Sequence, residues 1–425
     1  MVRRLYFLCL ALGLAAVLYP AVFLCLHYDT ITSEAEVMTG KDVSSLDEVN
    51  SVILEVHASN NTADEMAPGS EKMNDEPRKQ NSPEDLAGKP ENTWEPAEPR
   101  PQNTVSRKKT GRRLETWAFY VEDYPGERRG LISLDASGQA LTAMVSFAYH
   151  IDGEGNVYGR PYEEAMRKAR SKGIKVIALF HNFRDGIFQR QEVHRLLNTP
   201  EYQKRAVQGI VNIVQRYGYD GINMDFEAIP VVDRRAYTEF LRAVVTALPA
   251  AYEVAISVPA KTWDNPQHFW SGAFDYQAIG QLFDKVVLMT YDEHFARGAP
   301  GPIASIGWVR QVLDYAVTQI SPSKTLLGIA GYGYDWPQGK WARMVSYRDA
   351  QDIAARHGVR IQWDQVSRSW YFRYYENGTP REVWFEDAQS TREKLKLCEE
   401  YGLAGIALWR LGLEDHKLWS LLEIQ

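Results

Sequence analysis

Eight short runs rich in β-branched and aromatic residues recur over the last three quarters of the chain, and each is separated from the next by a segment with helical periodicity. The runs cover residues 114–121, 141–151, 174–183, 219–227, 252–259, 285–292, 325–334 and 404–411. Strands joined by helices pair in parallel, because a tight turn cannot bring a chain back to start a parallel neighbour. Eight such units fit the roughly 200 to 400 residues of a closed (βα)8 barrel, so the fold class expected is α/β, a TIM barrel over residues 113–425.

The intervening helices carry their own signals. In 200–217, Val207, Ile210, Val211 and Val214 recur on one face, Thr199 can cap the start, Pro200 suits the first turn and Gly218 suits the stop. In 233–248, Tyr237, Phe240, Leu241, Val244 and Leu248 form a second apolar stripe. One interval breaks the alternation. Residues 339–386, between the seventh and eighth strands, are too long for a single crossover helix, and they hold a helix pattern at 346–356. Strand-like pieces follow at 359–363, 370–375 and 383–385, with a turn at Glu376, Asn377 and Gly378. This interval is predicted to be a small α+β insertion on the barrel rim, with Trp363, Trp370, Tyr371 and Tyr375 serving mostly its own core.

Ahead of the barrel the texture is different. Arg3 and Arg4 precede residues 5–26, which carry no charged side chain and reach the ~20 residues that a membrane-crossing helix needs. With Asp29, Glu34 and Glu36 beyond it, the positive-inside rule places the N-terminus in the cytoplasm, and 1–27 is expected to be an uncleaved anchor in the cell membrane rather than a signal peptide. Residues 28–112 are rich in Glu, Asn, Ser and Pro, cannot bury enough surface to offset their chain entropy, and are expected to form a disordered extracytoplasmic linker; Arg107, Lys108, Lys109, Arg112 and Arg113 make a short basic patch where the fold begins. Of three cysteines, Cys9 and Cys25 lie in the apolar run, so Cys398 has no partner for a disulfide within the barrel. A formal charge of -7 argues against a nucleic-acid partner. Composition leaves the oligomeric state open.

The fourth strand carries the chemistry. In Asp220-Gly221-Ile222-Asn223-Met224-Asp225-Phe226-Glu227, alternation puts Ile222, Met224 and Phe226 on one face and Asn223, Asp225 and Glu227 on the other. Alone, such a column also fits an antiparallel strand with one wet face. In a barrel, however, active sites form at the C-terminal ends of strands. There the sixth run offers Thr290, Tyr291 and Asp292, the seventh Tyr332, Tyr334, Asp335 and Trp336, and the eighth Trp409. Carboxylates, phenols and flat indoles together suit a carbohydrate: acids move protons, hydroxyls orient and rings pack on sugar faces. His181, His268 and His294 lack paired metal-ligand spacing, so neither a metal nor a cofactor is expected.

These residues also carry a resemblance. Asp220 to Glu227 resembles the DGxDxDxE signature of glycoside hydrolase family 18, the chitinase-like barrels; Met289-Thr290-Tyr291-Asp292 resembles its sixth-strand MxYD, and Trp409 falls where that family has a tryptophan. Asn223 in place of an aspartate, Asp292-Glu293-His294, and Gly331-Tyr332-Gly333-Tyr334-Asp335-Trp336 resemble the spore-cortex-lytic N-acetylglucosaminidase branch. The resemblance implies retaining, substrate-assisted hydrolysis of a β-1,4-linked N-acetylglucosamine-containing glycan, in cell-wall or spore-cortex peptidoglycan or else in chitin oligomers. It implies Glu227 as acid, Asp225 as the group steering the substrate acetamido, Tyr291 as a donor to it, and Trp409 as the floor beneath the sugar. Asp292 and Tyr334 are implied as further contacts, and Asn223 is expected to support an Asp225 that stays charged. A barrel that binds glycan without cleaving it is the non-enzymatic alternative.

Overall fold

The computed structural model describes residues 114–423. The anchor expected at 1–27 and the linker expected at 28–112 lie outside them; among the described residues, no helix is long and apolar enough to cross a membrane. Eight parallel strands form the barrel: β1 (Glu115–Tyr120), β2 (Ala143–Ile151), β3 (Lys175–His181), β4 (Gly221–Asp225), β5 (Glu253–Pro259), β6 (Lys285–Met289), β7 (Thr325–Ala330) and β8 (Gly405–Trp409). Each pairs with its sequence neighbours, and β1 pairs with both β2 and β8, which closes the sheet.

Alternation along these strands divides the apolar residues in two. Trp117, Phe119, Val145, Ile177, Leu179 and Leu326 fill the barrel interior, while Met144, Phe180, Ile222, Met224, Ile256 and Leu288 face the surrounding helices. The helix Pro200–Tyr217 starts at Pro200 and stops at Gly218, whose φ of 63° is left-handed, although the Thr199 hydroxyl makes no capping bond. The helix Arg234–Ala247 buries Tyr237, Phe240, Leu241 and Val244.

Six strands end earlier than the β pattern of the sequence, and three of these shape the site. β4 stops at Asp225 and β6 at Met289, so Glu227, Tyr291 and Asp292 stand just beyond the sheet. There the backbone turns sharply: Ala228 has φ 54° and Asp292 φ 60°, a left-handed conformation that non-glycine residues rarely adopt. β7 stops at Ala330, and the alternating stretch beyond it, Tyr332–Pro337, belongs to a separate antiparallel sheet. Only Gly331 separates the two strands, so their periodicity reads as one run. The insertion therefore begins at Tyr332 rather than at 339.

The insertion's sheet has the order Arg343–Ser346, Tyr332–Pro337, Thr379–Phe385, Ser369–Glu376, Gln362–Asp364. Its helix, Tyr347–Arg356, starts with a capping box between Ser346 and Asp349. The turn at Asn377 and Gly378 has φ of 50° and 78°, as a two-residue hairpin of type I′ requires. Asp335 corrects the expectation that it faces the barrel mouth: it is fully buried and accepts hydrogen bonds from Arg381 at 2.9 and 2.6 Å and from the Tyr374 hydroxyl at 2.9 Å. Of the aromatics assigned to the insertion core, Trp370 joins it and Trp363 packs edge-on against Trp370. Tyr371 instead stacks on Trp384 at 4.7 Å, and Tyr375 is exposed.

Candidate active site

β4 is seated by its first two residues. The Asp220 carboxylate accepts the Val176 N–H at 2.7 Å, and Gly221 lies so close to β5 that a Cβ there would come within 2.1 Å of the Glu253 carbonyl oxygen. Asn223 and Asp225 then point into the barrel and are buried, while Ile222, Met224 and Phe226 pack outward. Glu227, past the strand end, is half-buried at the mouth and is held by its backbone. The fully buried Asn182, which follows β3, donates through Nδ2 to the Glu227 carbonyl and accepts the Glu227 N–H through Oδ1, both at 2.9 Å. Two bonds, one to each peptide group flanking Glu227, fix where the carboxyl emerges.

Beneath Asp225 the arrangement differs from a direct Asn223 contact. Ser257, an inward residue of β5, donates to Asn223 Oδ1 at 3.0 Å, and Asn223 Nδ2 is buried without a partner. The same hydroxyl touches Asp225: burial pushes that carboxyl's pKa up and the Ser257 hydrogen bond opposes the rise. Support for Asp225 thus comes through Ser257. The expectation of an Asp225 that is simply charged is corrected too, because an amide neighbour removes a competing charge but does not replace lost water. Glu227 is pushed well above the ordinary carboxylate range, first by burial, then by the nearby charges of Asp225 and Asp292. Two carboxyls in one dry site bind protons as a pair, and Glu227, with two acidic neighbours, is the one that keeps its proton.

The β6 end, separated from β4 by β5 alone, supplies the neighbouring stretch of the rim. The Tyr291 phenol is raised well above its usual pKa, first by burial and then by Asp225, Glu227, Asp292 and Tyr334, so its hydroxyl stays protonated as a donor. Asp292 opens onto the cleft, and the Tyr332 hydroxyl donates to its Oδ1 at 2.5 Å. Crowding by protein raises the Asp292 pKa, while hydrogen bonds from Tyr332 and Tyr334 pull it down. Tyr334 is only 6% exposed, so it mainly holds Asp292 and offers little face to a ligand. Trp409 ends β8 half-buried, its ring 5.2 Å from Phe119 and 5.6 Å from Phe147, and it forms a flat cap over the barrel core. Six of the seven residues expected at the site therefore stand at the same rim, and the seventh, Asn223, lies one layer below it.

Four participants were not legible beforehand: Asn182, Ser257, Phe147 and His181. His181, paired in register with Asp225, stacks on Phe147 at 4.1 Å and accepts the Phe183 N–H through Nδ1. Burial drives its pKa down to about 3, so it stays neutral. The available signals were slight: Ser257 is the one polar side chain within Val254–Val258, and Asn182 directly follows the third run.

Comparison with known proteins bears on this geometry. The family described as Glycosyl hydrolases family 18 matches residues 116–414. The chain is 33% identical over 305 residues to the putative sporulation-specific glycosylase YdhD of Bacillus subtilis (strain 168), covering 70% of this chain and 72% of that protein. It is 34% identical over 289 residues to the cortical fragment-lytic enzyme of Bacillus cereus, covering 66% and 67% respectively. The crystal structure of the Bacillus cereus spore cortex-lytic enzyme SleL superposes with a TM-score of 0.69 at 31% identity, covering 73% of this chain and 74% of that one. With the closed barrel, the paired carboxyls at the end of β4 and a match over nearly the whole described domain, this chain is a glycoside hydrolase and belongs to glycosyl hydrolases family 18.

Proposed function

We propose that this enzyme cleaves β-1,4-linked N-acetylglucosamine in cell-wall or spore-cortex peptidoglycan, with retention of configuration and with help from the substrate's own acetamido group. The observation that carries the reading is the grouping of Glu227, Asp225 and Tyr291 on one side of the mouth. Most glycosidases place two carboxyls on opposite faces of the scissile bond; two from one strand end share a face, which leaves a single acid and no enzyme nucleophile opposite it. Glu227 gives its proton to the leaving glycosidic oxygen. The acetamido carbonyl oxygen attacks the anomeric carbon as that bond breaks, forming a cyclic oxazolinium, while Asp225 accepts the acetamido N–H and Tyr291 donates to its oxygen. Water then adds to the anomeric carbon from the vacated side and returns a proton to Glu227, so two inversions give retention. Trp409 floors the reacting sugar, and Asp292 makes a further polar contact.

Release of reducing ends from purified peptidoglycan strands and from chitin oligomers, by wild type and Glu227→Gln, tests the assignment. Wild type should cleave and the variant should lose about 10³-fold or more, the upper range for a lost general acid. Equal rates would refute the role of Glu227, and faster turnover of chitin oligomers would move the substrate to chitin. A glucoside bearing a 2-hydroxyl in place of the acetamido should be inert. We also place the barrel outside the cytoplasmic membrane, on the strength of the uncharged run 5–26 and the polar stretch that follows. Fractionation and protease accessibility in intact cells test this, and a soluble cytoplasmic protein would refute it.

A further inference from the structure

The β6 end and the start of the insertion meet along one rim of the cleft. The Ala342 N–H donates to the Ala296 carbonyl at 2.7 Å, and Ala296 and Ala342 pack against the aromatic cluster that also touches Tyr291 and Trp409. On that rim the Arg297 guanidinium lies 4.3 Å above the ring of Trp341, itself 53% exposed. No aspartate or glutamate occurs in 294–303 or in 336–343, the two loops concerned, although Lys340 does. The nearest acid in sequence, Glu293, is turned away and accepts from the Ser305 N–H at 2.6 Å and hydroxyl at 2.9 Å. The neighbouring Arg343 and Arg381 both bond Asp335. Arg297 and Lys340 have no carboxylate partner among the described residues, on a chain whose formal charge is -7.

We infer that Arg297, seated over the Trp341 ring and assisted by Lys340, is a binding site for a carboxylate carried by the glycan. The ring beneath limits the freedom of the guanidinium, whose N–H fork a carboxylate matches with two parallel hydrogen bonds. A neutral N-acetylglucosamine chain offers nothing to it. Two carboxylates occur on peptidoglycan strands: the lactyl group of a muramic residue stripped of peptide, and the acidic residues of a stem peptide. This site selects between anionic and neutral chains, and it rests on the proposed hydrolysis of N-acetylglucosamine-containing glycan.

The test measures binding apart from turnover. Full-length Glu227→Gln protein, with and without Arg297→Gln or Arg297→Lys, is titrated calorimetrically with three probes: hexameric chitin oligosaccharide, amidase-stripped peptidoglycan strands, and strands that keep their stem peptides. Arg297→Gln should cut the preference for at least one anionic strand over the chitin hexamer by about tenfold, the low end for a charge-assisted hydrogen bond at a solvated rim. Arg297→Lys should keep part of that preference, and added salt should erode it. Loss confined to stripped strands assigns the lactyl carboxylate; loss confined to intact strands assigns the stem. An unchanged preference, with melting temperatures equal to the parent's, overturns the site. Reducing-end release by the corresponding Glu227 proteins separates the two claims. An anion preference lost with Arg297 but no hydrolysis defeats the proposed reaction alone, and hydrolysis without the preference defeats the rim alone.

Discussion

Replacing Ser257 with alanine should move the acid limb of the pH–activity profile upward by about one pH unit. The side chain is 1% exposed, donates to Asn223 Oδ1 at 3.0 Å and is the group that opposes the rise in the Asp225 pKa caused by burial. A hydrogen bond to a charged group contributes about 1.5–3 kcal/mol, and a pKa change of one corresponds to about 1.4 kcal/mol. Because one hydroxyl proton serves both Asn223 and Asp225, the lower end applies. The sign follows from the role of Asp225, which must be ionised to accept the acetamido N–H. Without Ser257 its charged form appears only at higher pH, so activity on the acid side is lost first. Initial rates well below KM, taken across pH on a soluble N-acetylglucosamine oligomer, give kcat/KM and hence the pKa values of the free enzyme. Removing one oxygen from a packed wall barely changes volume, and circular dichroism confirms that the barrel is intact. If kcat/KM fell by the same factor at every pH with the acid limb unmoved, Ser257 would be a packing residue and the proposed state of Asp225 would be refuted.

Other perturbations have equally definite outcomes. Glu227→Gln should stabilise the protein above the ordinary carboxylate range: the folded-state pKa of Glu227 is raised, so the folded protein holds an extra proton there and loses stability as pH climbs toward that pKa. Scanning calorimetry should show the variant melting roughly 2–4 °C higher at pH 8 and little changed near pH 4; an equal gain at both would refute the linkage. Arg381→Ala strands the fully buried Asp335, losing the bonds at 2.9 and 2.6 Å, and should cost about 3 kcal/mol in urea unfolding, with under 1 kcal/mol arguing that Arg343 and Tyr374 suffice. Asn182→Ala removes both bonds to the Glu227 backbone and should lower kcat by about ten- to a hundredfold with KM nearly unchanged, as misplacement of the acid requires. A rise in KM alone would assign Asn182 to substrate binding instead.

Sequence by itself determined the elements and one face of the site. Period-two and helical patterns name eight strands and the helices between them because burial enforces those periods locally, and the column Asn223, Asp225, Glu227 follows from the same alternation. It also put Tyr291, Asp292 and Trp409 at strand ends, where a barrel gathers polar residues. What it could not decide was where each strand stops, since hydrogen-bonded pairing and not side-chain pattern ends a strand: Tyr332–Pro337 keeps the β alternation yet leaves the barrel for another sheet. That choice sent Asp335 into an ion cluster and Tyr332 and Tyr334 to Asp292. Asn182, Ser257, Arg297 and Trp341 each gain their roles from contacts between elements distant in sequence. Closing the barrel fixed which polar side chains share a dry space, and so which proton stays on Glu227.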